Sequence, residues 1–190
     1  MKSIAPAVGI LCLLIGCVTG RPDHFYILSV QPPGQGPART APTALATLKV
    51  RLPSLLDRAQ MVLNESTDGV VVLEHERWAA PLTDLVTQTL AQDIERRRSD
   101  LLVGGAVNQS AVGLIKITVD IVQASVRRGA SASIEIHWRI LDMRSGKDIV
   151  GGDIFSARLR QDDYAAVAQG LSETLAQIAD RLAEQIPRMQ

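Results

Sequence analysis

The stretch from residue 131 to residue 142 constrains the fold most, because apolar and polar side chains alternate along most of it. Its apolar members are Ile134, Ile136, Trp138 and Ile140, and the polar residues between them are Glu135, His137 and Arg139. Successive side chains of a strand point to opposite faces, so the pattern predicts a strand with one face in a core. Similar segments at 114–125 and 148–160 flank it, and Arg128-Gly129 and Ser145-Gly146 mark the turns between them. We therefore predict an antiparallel meander.

Shorter segments predict further strands before the meander. Residues 24–28, 48–52, 61–63 and 70–73 are rich in β-branched and aromatic side chains or alternate in polarity. Asp68-Gly69 is a strong turn signal, so the segments at 61–63 and 70–73 should form a hairpin. Residues 31–43 are rich in proline and glycine, which disfavour both helix and central strand, and we expect an extended loop there.

Two other segments carry apolar residues at helical spacing. In the first, which follows Pro81 and runs to Arg98, the stripe is Leu82, Leu85, Val86, Leu90 and Ile94. In the second, residues 163–186, it is Val167, Leu171, Leu175, Ile178, Leu182 and Ile186. Both patterns predict amphipathic helices, and the run of arginines at 96–98 predicts a solvated end of the first. The predicted fold class is α+β: a two-layer domain with a mainly antiparallel sheet and two amphipathic helices on one face.

The beginning of the chain resembles an export signal. Lys2 supplies the basic start, residues 4–15 the apolar run and Gly16 the small residue before a cleavage point. A transmembrane helix is the alternative, but the run falls short of the roughly 20 apolar residues that a span needs, and Pro6 interrupts it. We therefore expect residues 1–16 to be a signal peptide.

A cysteine stands where the signal would be cut. Leu14, Ile15 and Gly16 lead directly into Cys17, which is the pattern of a bacterial lipobox. We expect Cys17 to become the lipidated first residue, residues 17–22 to form a tether of at most about 20 Å, and residues 23–190 to form one domain. The other cysteine, Cys12, lies in the signal, so the mature chain can form no internal disulfide.

Charge and motifs argue against several functions. The formal net charge is zero, with acidic and basic residues interleaved, so we expect no nucleic-acid partner. The chain has no Gly-x-Ser-x-Gly elbow, phosphate loop, His-Glu-x-x-His pair or cysteine cluster, and we expect neither catalytic residues nor a metal or other cofactor. His75 stands between Glu74 and Glu76, but neighbours on a strand point apart, so a solvated hairpin end is the simpler interpretation.

The two tryptophans are expected in the core. Trp138 shares the apolar face of its predicted strand, whereas Trp78 precedes the first helix and leaves a docking surface open as an alternative.

Three segments resemble a known family, the PqiC-like ABC-type transport auxiliary lipoproteins: residues 25–28, 48–63 and 77–94. The matching positions, which shape the fold or an interface, are Tyr26, Leu52, Pro53, Leu56, Arg58, Trp78, Pro81 and Leu82. The second half of the chain matches only in element order.

The resemblance implies a non-enzymatic lipoprotein of the bacterial cell envelope. Its partners would be an ABC permease and ATPase and a protein of the mammalian-cell-entry (MCE) type, which together move lipids or other apolar compounds between two membranes. The family implies a tether to the outer membrane facing the periplasm, and Val18 after the cysteine is compatible with that sorting. A homo-oligomer is left open. The alternative from another class is a stand-alone structural lipoprotein of the envelope.

Overall fold

The computed structural model describes residues 21–32, 42, 44–66, 68–104 and 115–188, so the predicted signal and Leu14, Ile15, Gly16 and Cys17 lie outside the described residues. In chain order the elements are β1 (His24–Tyr26), β2 (Ala44–Arg51), β3 (Gln60–Asn64), β4 (Val70–Trp78), α1 (Leu82–Arg97), β5 (Leu101–Gly104), β6 (Ile115–Arg127), β7 (Ser131–Asp142), β8 (Asp148–Arg158) and α2 (Tyr164–Gln185). The α+β class is confirmed.

The meander is confirmed as β6, β7 and β8 of a five-stranded sheet with the order β5-β2-β6-β7-β8. Its two turns use glycines with positive φ, Gly129 at 68° and Gly146 at 72°. L-residues with a Cβ rarely adopt this backbone conformation, which is why glycine marks these turns in the sequence. The inward residues of β7 are the predicted ones, and Ile136 and Ile140 are fully buried.

Strand β2 joins the other half of the same sheet and pairs in parallel with both β5 and β6. Strand β5 was not predicted. It has only four residues, too few for an alternation to show, and it exists because Leu101 to Gly104 pair with the first residues of β2. The chain between these parallel strands includes the hairpin and α1, as a parallel connection requires.

A second, three-stranded sheet has the order β1-β4-β3, where the sequence predicted one sheet. The predicted hairpin is confirmed as the antiparallel pair β3 and β4, and β1 pairs in parallel with β4. Strand β4 continues to Trp78, beyond the predicted end, because its polar half is paired with the segment around β1. Val126 N donates a 2.8 Å hydrogen bond to Asn64 Oδ1 and so joins this sheet to β6.

Both helices pack together on one face of the five-stranded sheet, as predicted. Helix α2 begins at an N-cap, Asp163, whose carboxylate accepts a 2.6 Å hydrogen bond from Ala166 N. The core lies between the helices and the sheet, and its fully buried side chains include Leu48, Leu90, Ile94, Ile117, Leu175, Ile178 and Leu182.

The arginine run at the end of α1 is not a solvated end, so that prediction was wrong for two of its members. Arg97 pairs with Asp180 of α2 and lies 3.4 Å from Asp93. Arg98 is 7% exposed and donates to the carbonyl oxygens of Ala183, Ile186 and Pro187 at 3.1, 2.6 and 3.1 Å. Its guanidinium therefore caps the C-terminus of α2, where helical carbonyls lack intrahelical partners.

Candidate functional site

A narrow apolar pocket of about 40 Å³ lies where the two sheets and the two helices meet. Its lining comes from the segments around both sheets and from both helices, and includes Leu28, Leu52, Leu56, Trp78, Leu82, Ile134 and Leu175. All of the lining side chains are apolar, so the pocket itself offers neither a nucleophile nor an acid or base.

Four of the positions singled out by the resemblance meet at this pocket: Leu52, Leu56, Trp78 and Leu82. They converge because β4 ends at Trp78 and α1 begins only four positions later, while the chain after β2 folds back over both. Trp78 and Leu82 are buried, and Leu52 and Leu56 are half-buried at the mouth. Trp78 and Trp138 are both in the core, as expected.

Residues 53–58, which include the half-buried pocket residue Leu56, form a turn that we call the mouth turn. Pro53 O accepts hydrogen bonds from Leu56 N at 2.9 Å and from Asp57 N at 3.2 Å, so the turn is closed by its own backbone. Thr83 Oγ1 donates to Asp57 Oδ1 at 2.8 Å, which ties the turn to the first turn of α1. The mouth turn is therefore held in one place relative to the pocket.

Two side chains of the mouth turn stand out in the described part of the chain. One is a large apolar side chain exposed to solvent, and the other has a buried nitrogen without a hydrogen-bond partner. Leu55 is 45% exposed, although it is a large apolar residue. The Nε atom of Arg58 is buried and has no hydrogen-bond partner among the described residues. A buried donor without an acceptor costs free energy.

Pro81 and Tyr26 hold the chain on either side of Trp78. Pro81 precedes the first residue of α1, and its carbonyl oxygen accepts from Leu85 N at 3.1 Å. Tyr26 O accepts from Ala79 N at 2.8 Å, and its hydroxyl donates to Glu76 Oε2 at 2.6 Å. Burial and this bond to a carboxylate raise the pKa of Tyr26 to about 12, so the phenol stays a donor at neutral pH.

The acidic pair around His75 does not converge on it. His75 Nδ1 lies 3.0 Å from Asp23 Oδ1, while Glu76 on the opposite face pairs with His24 and Tyr26. His75 lies inside β4 rather than at a hairpin end, so that part of the interpretation was wrong. Among the residues that the structure describes, no three His, Cys, Asp or Glu side chains are placed to hold a metal ion.

The size of the pocket limits what can enter it. A cavity that binds benzene in an otherwise intact core measures about 150 Å³, several times larger than this one. The pocket therefore suits the tip of one aliphatic side chain or chain end, not a whole lipid.

Asp93, a buried carboxylate near the pocket, was not among the residues predicted from the sequence. Asp93 is completely buried, accepts a 2.9 Å bond from Gln31 N, and has one oxygen, Oδ2, without a partner among the described residues. Burial raises the pKa of Asp93 to about 6, against the lowering effects of the Gln31 amide and Arg97. The sequence signal was present, because position 93 falls on the buried face of α1 beside Leu90 and Ile94.

Asp93 and α2 together hold the segment that follows β1. Ser29 N donates to Ser172 Oγ at 3.0 Å, and Gln31 N donates to Asp93, so both helices bind this segment through its backbone. Leu28 between these contacts and β1 is buried and lines the pocket.

None of the helices in the described ranges is long and apolar enough to cross a membrane.

Comparison with known proteins gives a family for this architecture. The model of the ABC-type transport auxiliary lipoprotein component family matches residues 26–183, which include the pocket and the mouth turn. No curated protein is detectably similar to the chain.

Two crystal structures share the fold. One, an uncharacterised protein, has a TM-score of 0.73 at 17% identity, over 88% of this chain and 100% of its own. The other, protein XCC0632 from Xanthomonas campestris, has a TM-score of 0.65 at 17% identity, over 84% of this chain and 92% of its own. At that identity the likeness establishes the fold alone.

Proposed function

Because the chain belongs to the ABC-type transport auxiliary lipoprotein family, we propose that it is a non-catalytic adaptor of a transport system that moves lipids or other apolar compounds between two membranes. Its partners in this proposal are an MCE-type protein and the ABC permease and ATPase. The adaptor faces the periplasm from the outer membrane.

One observation carries the proposal: the family match covers a fold in which six of the eight motif positions lie at a single pocket and its mouth turn. A protein partner with a small apolar side chain fits this place, because the pocket has room for one aliphatic group and Leu55 projects beside it. Apolar anchors in desolvated pockets are the usual centres of binding energy in interfaces.

The proposal includes a lipid anchor on Cys17. One acyl chain gives only marginal membrane binding, at about 0.8 kcal/mol per buried methylene, whereas two or more chains hold stably. An acylated Cys17 would keep the adaptor on its membrane without a spanning helix.

Photo-crosslinking in intact cells tests the adaptor role. A photo-reactive amino acid replaces Leu55 in the mouth turn, and the matched control replaces Leu102 of β5, which is 47% exposed against 45% for Leu55. We expect mass spectrometry to recover an MCE-type or permease subunit from position 55 and not from position 102. Recovery of no transport subunit from position 55, with detergent resistance unchanged on deletion of the gene, would favour the stand-alone structural lipoprotein instead.

A further inference from the structure

Two large apolar side chains are exposed immediately after the tether. Phe25 is 64% exposed and Ile27 is 61% exposed, while Tyr26 between them turns inward to Glu76. Both exposed side chains line one shallow depression together with Ala168 and Gln169 of α2. We call Phe25 and Ile27 the β1 pair.

The β1 pair has no cover among the described residues because of where β1 lies. Strand β1 is at the edge of the three-stranded sheet, and within the described ranges β4 is its one pairing partner. Residues two apart in an extended segment point the same way, so burying Tyr26 leaves Phe25 and Ile27 on the outer side. Adjacent exposed apolar groups of this size favour contact with a membrane or another apolar surface.

The tether decides which apolar surface is within reach. Cys17 lies four positions before Arg21, the first described residue, so an acyl anchor on it is at most about 14 Å of chain from Arg21. Phe25 follows Arg21 by another four positions. The bilayer that holds the anchor is therefore the extended apolar phase closest to the β1 pair along the chain.

Charged side chains of both signs lie at the same end of the molecule. Arg21, Glu74, Glu76 and Tyr164 line a second depression beside β1, and the guanidinium of Arg128 lies 5.1 Å from the centre of the Tyr164 ring. Arg127 of β6 and Arg158 of β8 are exposed, and each pairs with Ser131 of β7, the strand between them. Asp162 offsets one of these charges by pairing with Arg128. Acidic side chains thus accompany the arginines here, and contact with the bilayer depends on the apolar β1 pair rather than on a basic surface.

We propose that the β1 pair enters the interfacial region of the phospholipid bilayer that carries the acylated Cys17, so that the domain lies against its membrane by the β1 edge. This inference rests on the lipid anchor of the proposed function, but not on any transport partner. It fixes one side of the domain toward the membrane, which an anchor on a short chain alone does not do.

The cysteine content of the mature chain allows a direct test on the full acylated protein. Cys12 is removed with the signal and acylation blocks Cys17, so one introduced cysteine can be labelled selectively with the fluorophore NBD. Ile27→Cys reports on the β1 pair, and Ile154→Cys is the matched control, since Ile154 is 63% exposed and lies on β8 of the other sheet. The labelled proteins are reconstituted in vesicles of phosphatidylethanolamine and phosphatidylglycerol containing a lipid with a doxyl quencher near the headgroup.

We expect the doxyl lipid to quench most of the emission at position 27 and little at position 154. Equal quenching at both positions, or none at position 27, would overturn the inference while leaving the adaptor role untouched, because the vesicles contain no transport subunit. The wild-type protein, which has no introduced cysteine, is the second control. If it takes up the label, Cys17 carries no lipid, and the inference fails together with the anchor on which it rests.

Discussion

Asp93 is a single residue whose ionisation is coupled to folding. Its pKa is about 6 in the folded protein against an ordinary value of 3.8. Between these values the folded state binds more protons than the unfolded state, so the stabilisation from this carboxyl is present below about pH 4 and is lost as the pH rises to about 6.

The variant Asp93→Asn should remove that loss. Its amide oxygen can still accept from Gln31 N, and Arg97 keeps its pair with Asp180. We expect urea titrations to show that the free energy of unfolding of the variant increases relative to that of wild type from pH 4 to pH 7, because only wild type loses this stabilisation. Asp84→Asn, at an exposed position of the same helix, is the control. A difference from wild type that does not change with pH would contradict this account of Asp93.

Trp78 should behave as a core residue of the pocket wall. Truncation of a buried large side chain typically costs about 3 to 5 kcal/mol, so Trp78→Ala should lower the melting temperature strongly, and Trp78→Phe much less. Val150→Ala is the control, because Val150 is 71% exposed. If Trp78→Ala melts like wild type but no longer binds the transport partner, Trp78 belongs to an interface rather than to the core.

At the scale of elements, the C-terminus of α2 depends on a side chain of α1. Removing Arg98 leaves the carbonyl oxygens of Ala183, Ile186 and Pro187 and the carboxylate of Asp100 without their donor. The bond to Ile186 is the buried one of these, and an unsatisfied buried group costs about 1 to 3 kcal/mol.

We therefore expect Arg98→Ala to destabilise the protein by about 1 to 3 kcal/mol and to speed hydrogen exchange of amides in the last turn of α2. Arg96→Ala is the matched control, because Arg96 belongs to the same run but is exposed. Similar exchange rates in the two variants would show that Arg98 does not hold α2.

Buried charged residues such as Arg98 show why part of the fold could not be predicted from the sequence. Periodicity within one segment predicts a strand or a helix, and it correctly predicted the meander, the hairpin and both helices. Strand β5, the polar half of β4 and the division into two sheets depend instead on pairing partners far along the chain. A charged residue such as Arg98 or Asp93 is buried only where another element supplies its partner, and neither charge nor spacing states which element that is.

The candidate site, like the fold, could be predicted only in part from the sequence. Leu52, Leu56, Trp78 and Leu82 were marked by the family resemblance, but only the fold places them at one pocket. Leu55 becomes visible as a docking feature once the mouth turn is built.

At the scale of the whole molecule, Cys17 should decide where the protein resides. We expect Cys17→Ser to leave the protein unprocessed or released in soluble form, because the variant cannot be acylated. Fractionation of cell envelopes with mass spectrometry of the mature N-terminus measures both. Wild-type protein that is bound to the membrane with an unmodified Cys17 would refute the anchor.

The proposed adaptor role in a transport system can be tested by the amount of transport subunit that the protein retains during purification. Tagged lipoprotein is extracted from cell envelopes in mild detergent, purified, and compared with Leu55→Asp in the mouth turn and Val150→Ser on β8, both at exposed positions. We predict that wild type and Val150→Ser retain the MCE-type subunit and that Leu55→Asp, with an unchanged melting temperature, loses most of it. Purification of all three proteins without any permease, ATPase or MCE-type subunit would contradict the account.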